Sequence, residues 1–447
     1  MGYKKYERYK DSGVEWIGKI PEGWNIIKCK RLFSIVNGST PQTNIEDYWD
    51  GDIVWLTPVD LSLSTNPYIE ESLRKITREG LMNCSAKIVP EGSLVLSTRA
   101  PIGYVRIAAK KLCTNQGCKT LVPQKKLNSR YYYYHILGIN SYIKSLGQGT
   151  TFTELSNAAL SNILFSLPYI HEQTAIANFL DQKTAEIDSL IADKEKMIQL
   201  LQEKRQAIIS EAVTKGLDRN VPMKDSGVEW IGEIPAHWSL YKITWIFNLI
   251  SSGATPSSIN LEYYDGNIPW VNTGDLNDGY IYDTPKTVTE IALRECSALK
   301  LFPVDTLLIA MYGATIGKLG ITKIIASTNQ ACCALAGPKN AIIKFIFYWF
   351  LANRSNIISM AYGGGQPNIS QNLIKSLRIP LPEIEEQKSI VNFLDQKTSE
   401  IDALISDIQT QIDKLKEYRQ SLISEAVTGK IDVREFTPSK EGVAVNA

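Results

Sequence analysis

The chain has 447 residues, 44% of them hydrophobic, and a formal net charge of +1. That length exceeds one ordinary domain and supplies apolar side chains for sizeable cores, while the near-zero charge excludes a uniformly basic nucleic-acid coat. Seven cysteines without paired metal spacing exclude a disulfide framework and fit reduced thiols. The opening MGYKKYERYKDSG lacks the apolar core of a signal peptide, and the most apolar run, Ala341 to Leu351, is broken by Lys344 and too short to span a bilayer. A soluble cytoplasmic protein is expected.

Along the chain the dominant signal is self-similarity. KDSGVEWIG at 10–18 returns at 224–232, Leu167-Pro168 returns as Leu381-Pro382, and NFLDQKTAEIDSLI at 178–191 returns as NFLDQKTSEIDALI at 392–405, all at an offset of 214. The chain therefore reads as two tandem units, too long for solenoid repeats. Their parts are a first lobe over 1–166, a helix within 167–216, a second lobe over 217–380, a second helix within 381–435 and a tail at 436–447.

Each unit opens on a tryptophan-rich turn, with Trp16 and Trp24 in the first and Trp230 and Trp238 in the second. The lobes follow. Runs such as SLVLST (93–98) and TLLIAM (306–311), set between Gly, Pro and Asn, predict short strands, with helices near 129–146 and 341–353. The fold class is α+β, with two strand-rich globular domains. The lobes share only scattered anchors: Thr40-Pro41 with Thr255-Pro256, Trp55 with Trp270, Gly103 with Gly317, and Asn115-Gln116 with Asn329-Gln330. After each lobe a helix is expected near Glu172 or Glu386, whose carboxylates suit a helix N-terminus, and Gly216 and Gly429 suit the ends. Ile187, Leu190, Ile191, Ile198 and Leu201 form an apolar stripe at helical spacing. Ile401, Leu404, Ile405, Ile412 and Leu415 repeat it, so the two helices are expected to bury their stripes on each other as a coiled coil.

Charge separates the parts. Residues 25–166 hold 16 Lys and Arg against 10 Asp and Glu, and residues 239–380 hold 11 against 8, so both lobes are basic. The helical blocks are acidic, 6 against 8 in 167–216 and 7 against 12 in 381–435. Lobes that face phosphates are consistent with this balance.

No motif for chemistry stands out. Gly313 to Lys318 has three residues between its glycines and Leu319 after its lysine, which is not a phosphate loop. Asn66-Pro67-Tyr68 lacks the second proline of an amino-methyltransferase motif, and a turn is expected. His135, His171 and His237 are scattered, and Cys113, Cys118, Cys332 and Cys333 are expected as buried thiols rather than zinc ligands. No catalytic residue, metal ligand or cofactor site is assigned.

Recognition residues are better represented. Thr98, Arg99 and Tyr104 lie in STRAPIGY, and Tyr312, Thr315 and Lys318 lie in the corresponding MYGATIGK. Arginine suits a guanine edge or a phosphate, and tyrosine suits stacking. The chemistry of the two tips differs while the A-x-I-G frame persists, as two readers of different sequence require; a glycine-pinned hairpin without contacts is the alternative. Glycine-rich loops carrying Gln148, Thr150, Thr151 and Gln366 can approach a DNA backbone or serve as connections. The paired Asn115-Gln116 and Asn329-Gln330 can reach adenine edges, but their identity in both copies favours a structural role.

SGVEWIGKIPEGW, SGVEWIGEIPAHW and the LP…EQ…NFLDQKT…ID…LI blocks, in this doubled order over nearly the whole chain, resemble the specificity subunit of type I restriction–modification systems. The resemblance implies two target-recognition domains, each reading half of a bipartite, asymmetric site in double-stranded DNA. It further implies an antiparallel coiled coil with a pseudo-two-fold axis that sets the unread spacer and docks two adenine-modifying methyltransferase subunits, which restriction subunits then join. S-adenosylmethionine, ATP and magnesium would belong to those partners, and this chain would hold no active site. The rival expectation is a two-lobed scaffold that binds protein or RNA.

Overall fold

The computed structural model describes residues 3–99, 101–148, 153–361 and 368–437. Its principal helices are α1 (Ser129–Gly138), α2 (Ile170–Lys215), α3 (Ile343–Ala352) and α4 (Ile384–Val427). The chain forms two compact units, Met1–Glu195 with Gln409–Ala447 and Lys196–Ile408. The boundary cuts across the tandem repeat. Each unit holds one lobe, half of α2 and half of α4.

In unit 1 the principal strands are β1 (Phe33–Asn37), β2 (Trp49–Leu56), β3 (Tyr68–Ile69), β4 (Leu94–Ser97), β5 (Val105–Ala108) and β6 (Cys118–Pro123). Five of them make a sheet in the order β1-β6-β4-β5-β3, antiparallel except for β3 beside β5. Every residue of β4 is buried, so it reads as a continuous apolar run rather than an alternating one. β2 forms a second sheet with Cys113–Thr114 and Lys75–Ile76, over a core that contains Trp49 and Trp55.

The repeated helical motif explains how the lobe is held. Gln173 is buried at the start of α2, where its Oε1 accepts the Asn128 N–H and its Nε2 donates to the Pro168 carbonyl, both at 3.0 Å. Two turns on, Asp181 accepts the Tyr134 hydroxyl at 2.8 Å and pairs with Arg130. Farther along, Arg419 of α4 reaches Asp188 at 2.8 Å, and Lys194 reaches Gln411 at 2.6 Å. The partner number falls as the residue number rises, so the two half-helices are antiparallel. At the end of α4, Ser166 Oγ and Tyr131 Oη donate to the Val427 carbonyl at 2.6 and 3.0 Å, which satisfies a carbonyl that a helix end otherwise leaves open.

Unit 2 repeats the plan with β7 (Phe247–Ser252), β8 (Tyr264–Val271), β9 (Gly279–Ile281), β10 (Leu307–Ala310), β11 (Leu319–Thr322) and β12 (Cys332–Pro338). The sheet order is β7-β12-β10-β11-β9, again with one parallel pair at the edge. Gln387 bridges the Ile342 N–H and the Pro382 carbonyl, and Asp395 accepts from Tyr348 at 2.6 Å and Lys344 at 2.7 Å. Arg205 reaches Asp402 across the half-helices at 3.1 Å. Phe345, Trp349, Trp238, Ile209, Val213 and Leu394 belong to one core in this unit.

The seam departs from expectation at two leucines. Ile187, Ile191, Ile401 and Ile412 are buried and Ile198, Leu201, Ile405 and Leu415 partly so, but Leu190 and Leu404 are 50% and 51% exposed. Alternate steps of four and three, 187-191-194-198-201 and 401-405-408-412-415, carry the 3.5-residue seam of a coiled coil. Leu190 and Leu404 fall beside that seam, so they are removed from the set of coil contacts. Among the described residues no helix is long and apolar enough to cross a membrane.

Candidate nucleic-acid interface

Both lobes gather loops at one end of the five-stranded sheet. In unit 1 the β4–β5 tip, the turn before β6 and the segment entering Leu155 are laced together. Thr98 N–H donates to the Gly117 carbonyl at 2.8 Å, and the Thr98 carbonyl accepts the Leu155 N–H at 2.9 Å. Gln148 and Glu154 exchange backbone hydrogen bonds at 3.1 and 2.9 Å, and Arg99 forms a backbone bridge with Glu154. Beneath them Lys119, almost wholly buried, donates to the Leu155 carbonyl at 2.6 Å and pairs with Glu154 at 3.1 Å. An open cleft of about 550 Å³ lies here, lined by Asn37, Gln116, Lys119, Gln148, Glu154 and Asn157 among others.

These contacts bring Arg99 and Gln148 to one surface, where the Arg99 side chain holds no ion pair among the described residues. Tyr104, where the tip leads into β5, is 37% exposed. Thr98 is a correction: it is fully buried, and its hydroxyl donates to Gly117 O at 3.3 Å. The strand end is polar because it bonds to the neighbouring turn, which leaves its hydroxyl turned inward. Thr150 and Thr151 lie outside the described residues.

Unit 2 laces the corresponding tip in the same way but with other side chains. Met311 N–H donates to the Ala331 carbonyl, and its own carbonyl accepts the Ile369 N–H, both at 2.8 Å. Tyr312 and Thr315 are half-buried and Lys318 is exposed, with Lys318 N–H donating to the Thr315 carbonyl at 2.9 Å. Gln366 lies outside the described residues. The shared glycine of the two tips has a steric cause. Gly103 and Gly317 have φ of +106° and +76°, and a Cβ on Gly103 would sit 2.1 Å from Asn140 Oδ1. What varies around that glycine is side-chain chemistry, with Arg99 in one lobe and Tyr312 and Lys318 in the other.

Cys113, Cys118, Cys332 and Cys333 are buried, as their sequence context suggested. Burial pushes Cys113, Cys332 and Cys333 up to about 12, which leaves them protonated and unreactive. Gly313 to Lys318 forms the turn between β10 and β11 rather than a phosphate loop, and Tyr68 N–H bonds Asn66 Oδ1 at 2.9 Å in an ordinary Asn turn.

Comparison with known proteins agrees with this duplicated frame. The family model of the type I restriction modification DNA specificity domain matches residues 21–200 and again 235–414. The chain belongs to this family. It is 29% identical to the type I restriction enzyme MjaIX specificity subunit of Methanocaldococcus jannaschii, over 94% of this chain and 96% of that protein. It is 23% identical to the EcoKI specificity subunit of Escherichia coli K12, over 93% and 90%. Among solved structures, the HsdS subunit from Thermoanaerobacter tengcongensis superposes with a TM-score of 0.55 at 16% identity, covering 94% of this chain and 100% of that one. A chain from a structure of type I R-M complex assembly and conformational transition gives 0.67 at 17%, covering 92% and 99%. These specificity-domain likenesses extend over both lobes and both helices.

Two positions that the sequence left as structural acquire another aspect here. Asn115 and Asn329 turn inward, each Oδ1 accepting a backbone N–H two residues on at 2.9 and 3.2 Å. Gln116 and Gln330 beside them are exposed. Pair-wise identity alone could not separate the two residues of each pair. Lys119 was likewise not singled out, because only the three-dimensional contact with Glu154 distinguishes it from other lysines.

Proposed function

We infer that the chain is the DNA sequence-specificity subunit of a type I restriction–modification complex, each lobe reading one half of a bipartite, asymmetric double-stranded site. One observation carries this reading: two lobes with the same sheet order and the same glycine-pinned tip present different side chains there, Arg99 against Tyr312 and Lys318. An arginine fork reads guanine or holds phosphate; a tyrosine face stacks, and a lysine meets phosphate as a point charge.

The chemistry is assigned to partners. Methyltransferase subunits would supply S-adenosylmethionine and modify adenine, and restriction subunits would use ATP and magnesium, all in the cytoplasm where such a complex meets chromosomal DNA. Leu190 and Leu404, identical in the repeat and half exposed beside the coil seam, suit the docking of one kind of subunit twice, once in each unit.

The test is genome-wide adenine-methylation sequencing of cells that express the chain with its methyltransferase, against cells lacking the chain. A split, asymmetric motif that disappears with the chain is the expected result. Methylation that persists unchanged without the chain would end the reading.

A further inference from the structure

We propose that the exposed carboxamides of Gln116 and Gln330 hold the sugar–phosphate backbone, one in each half-site, and supply binding that base sequence does not alter. The proposal rests on the lobes being DNA readers and names residues not among those chosen from sequence.

The surrounding construction is the same in both lobes. Gly38 and Gly253 press onto the neighbouring turn so closely that a Cβ would lie 2.0 Å from Asn115 O and 1.8 Å from Thr328 O. The indole N–H of Trp55 then donates to Ser39 O at 2.9 Å, and that of Trp270 to Ala254 O at 3.1 Å. This seats the next residue, Thr40 or Thr255, against the glutamine, and each threonine Oγ1 donates to the Oε1 of Gln116 or Gln330. With that oxygen engaged, the outward end of each carboxamide is its NH₂ group, which has no partner among the described residues.

Position ties these groups to the readers. Gln116 lines the cleft with Gln148 and Glu154, and the next residue, Gly117, receives the N–H of Thr98. In unit 2, Ala331, beside Gln330, receives the N–H of Met311. An exposed donor pair has thus been kept in one geometry next to tips whose side chains have diverged. Two half-sites of unlike sequence share their backbone, not their bases. Phosphate oxygens are pure acceptors, and an NH₂ with two N–H bonds is a pure donor.

The experiment uses the full chain assembled with its methyltransferase subunits and the duplex carrying the motif that methylation sequencing reveals, beside an unrelated duplex of equal length. Sequence-specific binding by the unsubstituted complex comes first; its absence would count against the reader function itself. Gln116→Met and Gln330→Met should each weaken binding of both duplexes about tenfold, the scale of a hydrogen bond to a charged group, and leave the methylated motif unchanged. Substituting an uncharged methylphosphonate at single phosphates should find one position per half-site where the variant and the unsubstituted complex bind alike. A changed base at one motif position would overturn the proposal in favour of base reading. Unchanged affinity for DNA, with lowered melting temperature in both Gln116→Met and Thr40→Val, would overturn it in favour of a purely structural latch.

Discussion

Acid should weaken unit 1 through one imidazole. His135 is fully buried, edge-on to Phe165 at 4.9 Å and stacked on Tyr132 at 6.3 Å. Its Nε2 accepts the Ser166 N–H at 3.1 Å, while the Ser166 hydroxyl is committed to Val427 O. Burial holds the ring neutral and pushes its pKa from 6.5 down to about 3. A depressed histidine stabilises the fold only where the unfolded chain is also neutral. Below pH 6.5 the unfolded state takes up a proton that the folded state refuses, and stability falls by about 1.4 kcal/mol per pH unit, roughly 2 kcal/mol at pH 5. Replacing the ring with His135→Phe removes this dependence whatever it does to stability at neutral pH. Urea titrations of both proteins at pH 7.5 and 5.0, read by hydrogen exchange of β4 and β6, should show the difference between them shift by about 2 kcal/mol toward the variant. Parallel pH profiles would refute the reasoning.

Other perturbations separate anchoring from recognition. Gln387→Ala strands the half-buried Ile342 N–H and the buried Pro382 carbonyl, and should cost unit 2 about 2–4 kcal/mol in denaturant titrations. Leu404→Asp should leave stability within about 0.5 kcal/mol yet lower the amount of methyltransferase subunit retained in native mass spectrometry. Ile412→Ala, in the seam, should cost about 2–4 kcal/mol. Arg99→Ala should relax one half of the methylated motif, or weaken it, and spare the other half, as sequencing of modified genomes would show. Because the chain is nearly neutral overall, it should bind its site weakly alone at physiological salt and tightly with methyltransferase subunits, which a filter-binding titration can measure.

The long helices were legible because Ile187, Ile191, Ile401 and Ile412 recur at a spacing no strand can use. A stripe drawn from steps of three and four is wider than a coiled-coil seam, which is why Leu190 and Leu404 were placed inside it. Local propensity marked β4 and β10 as buried strands, but a strand-end threonine gives no sign whether its hydroxyl meets solvent or a turn from residue 117. The partition into units was not legible at all. It depends on contacts such as Asp188 with Arg419, more than two hundred residues apart in sequence, for which neither residue carries a local signal.

That partition has a consequence for synthesis. Unit 2 is one uninterrupted stretch, Lys196–Ile408, whereas unit 1 is assembled from one segment that precedes it and one that follows it. A ribosome therefore delivers everything unit 2 requires before the last piece of unit 1 exists. From the emergence of Ile191 to that of Ile412, some 220 residues at about 5–20 per second, roughly 10–45 s pass in which the first half of α2 has no mate. The nascent chain must shelter that apolar edge through the whole interval, until the second half of α4 emerges to cover it.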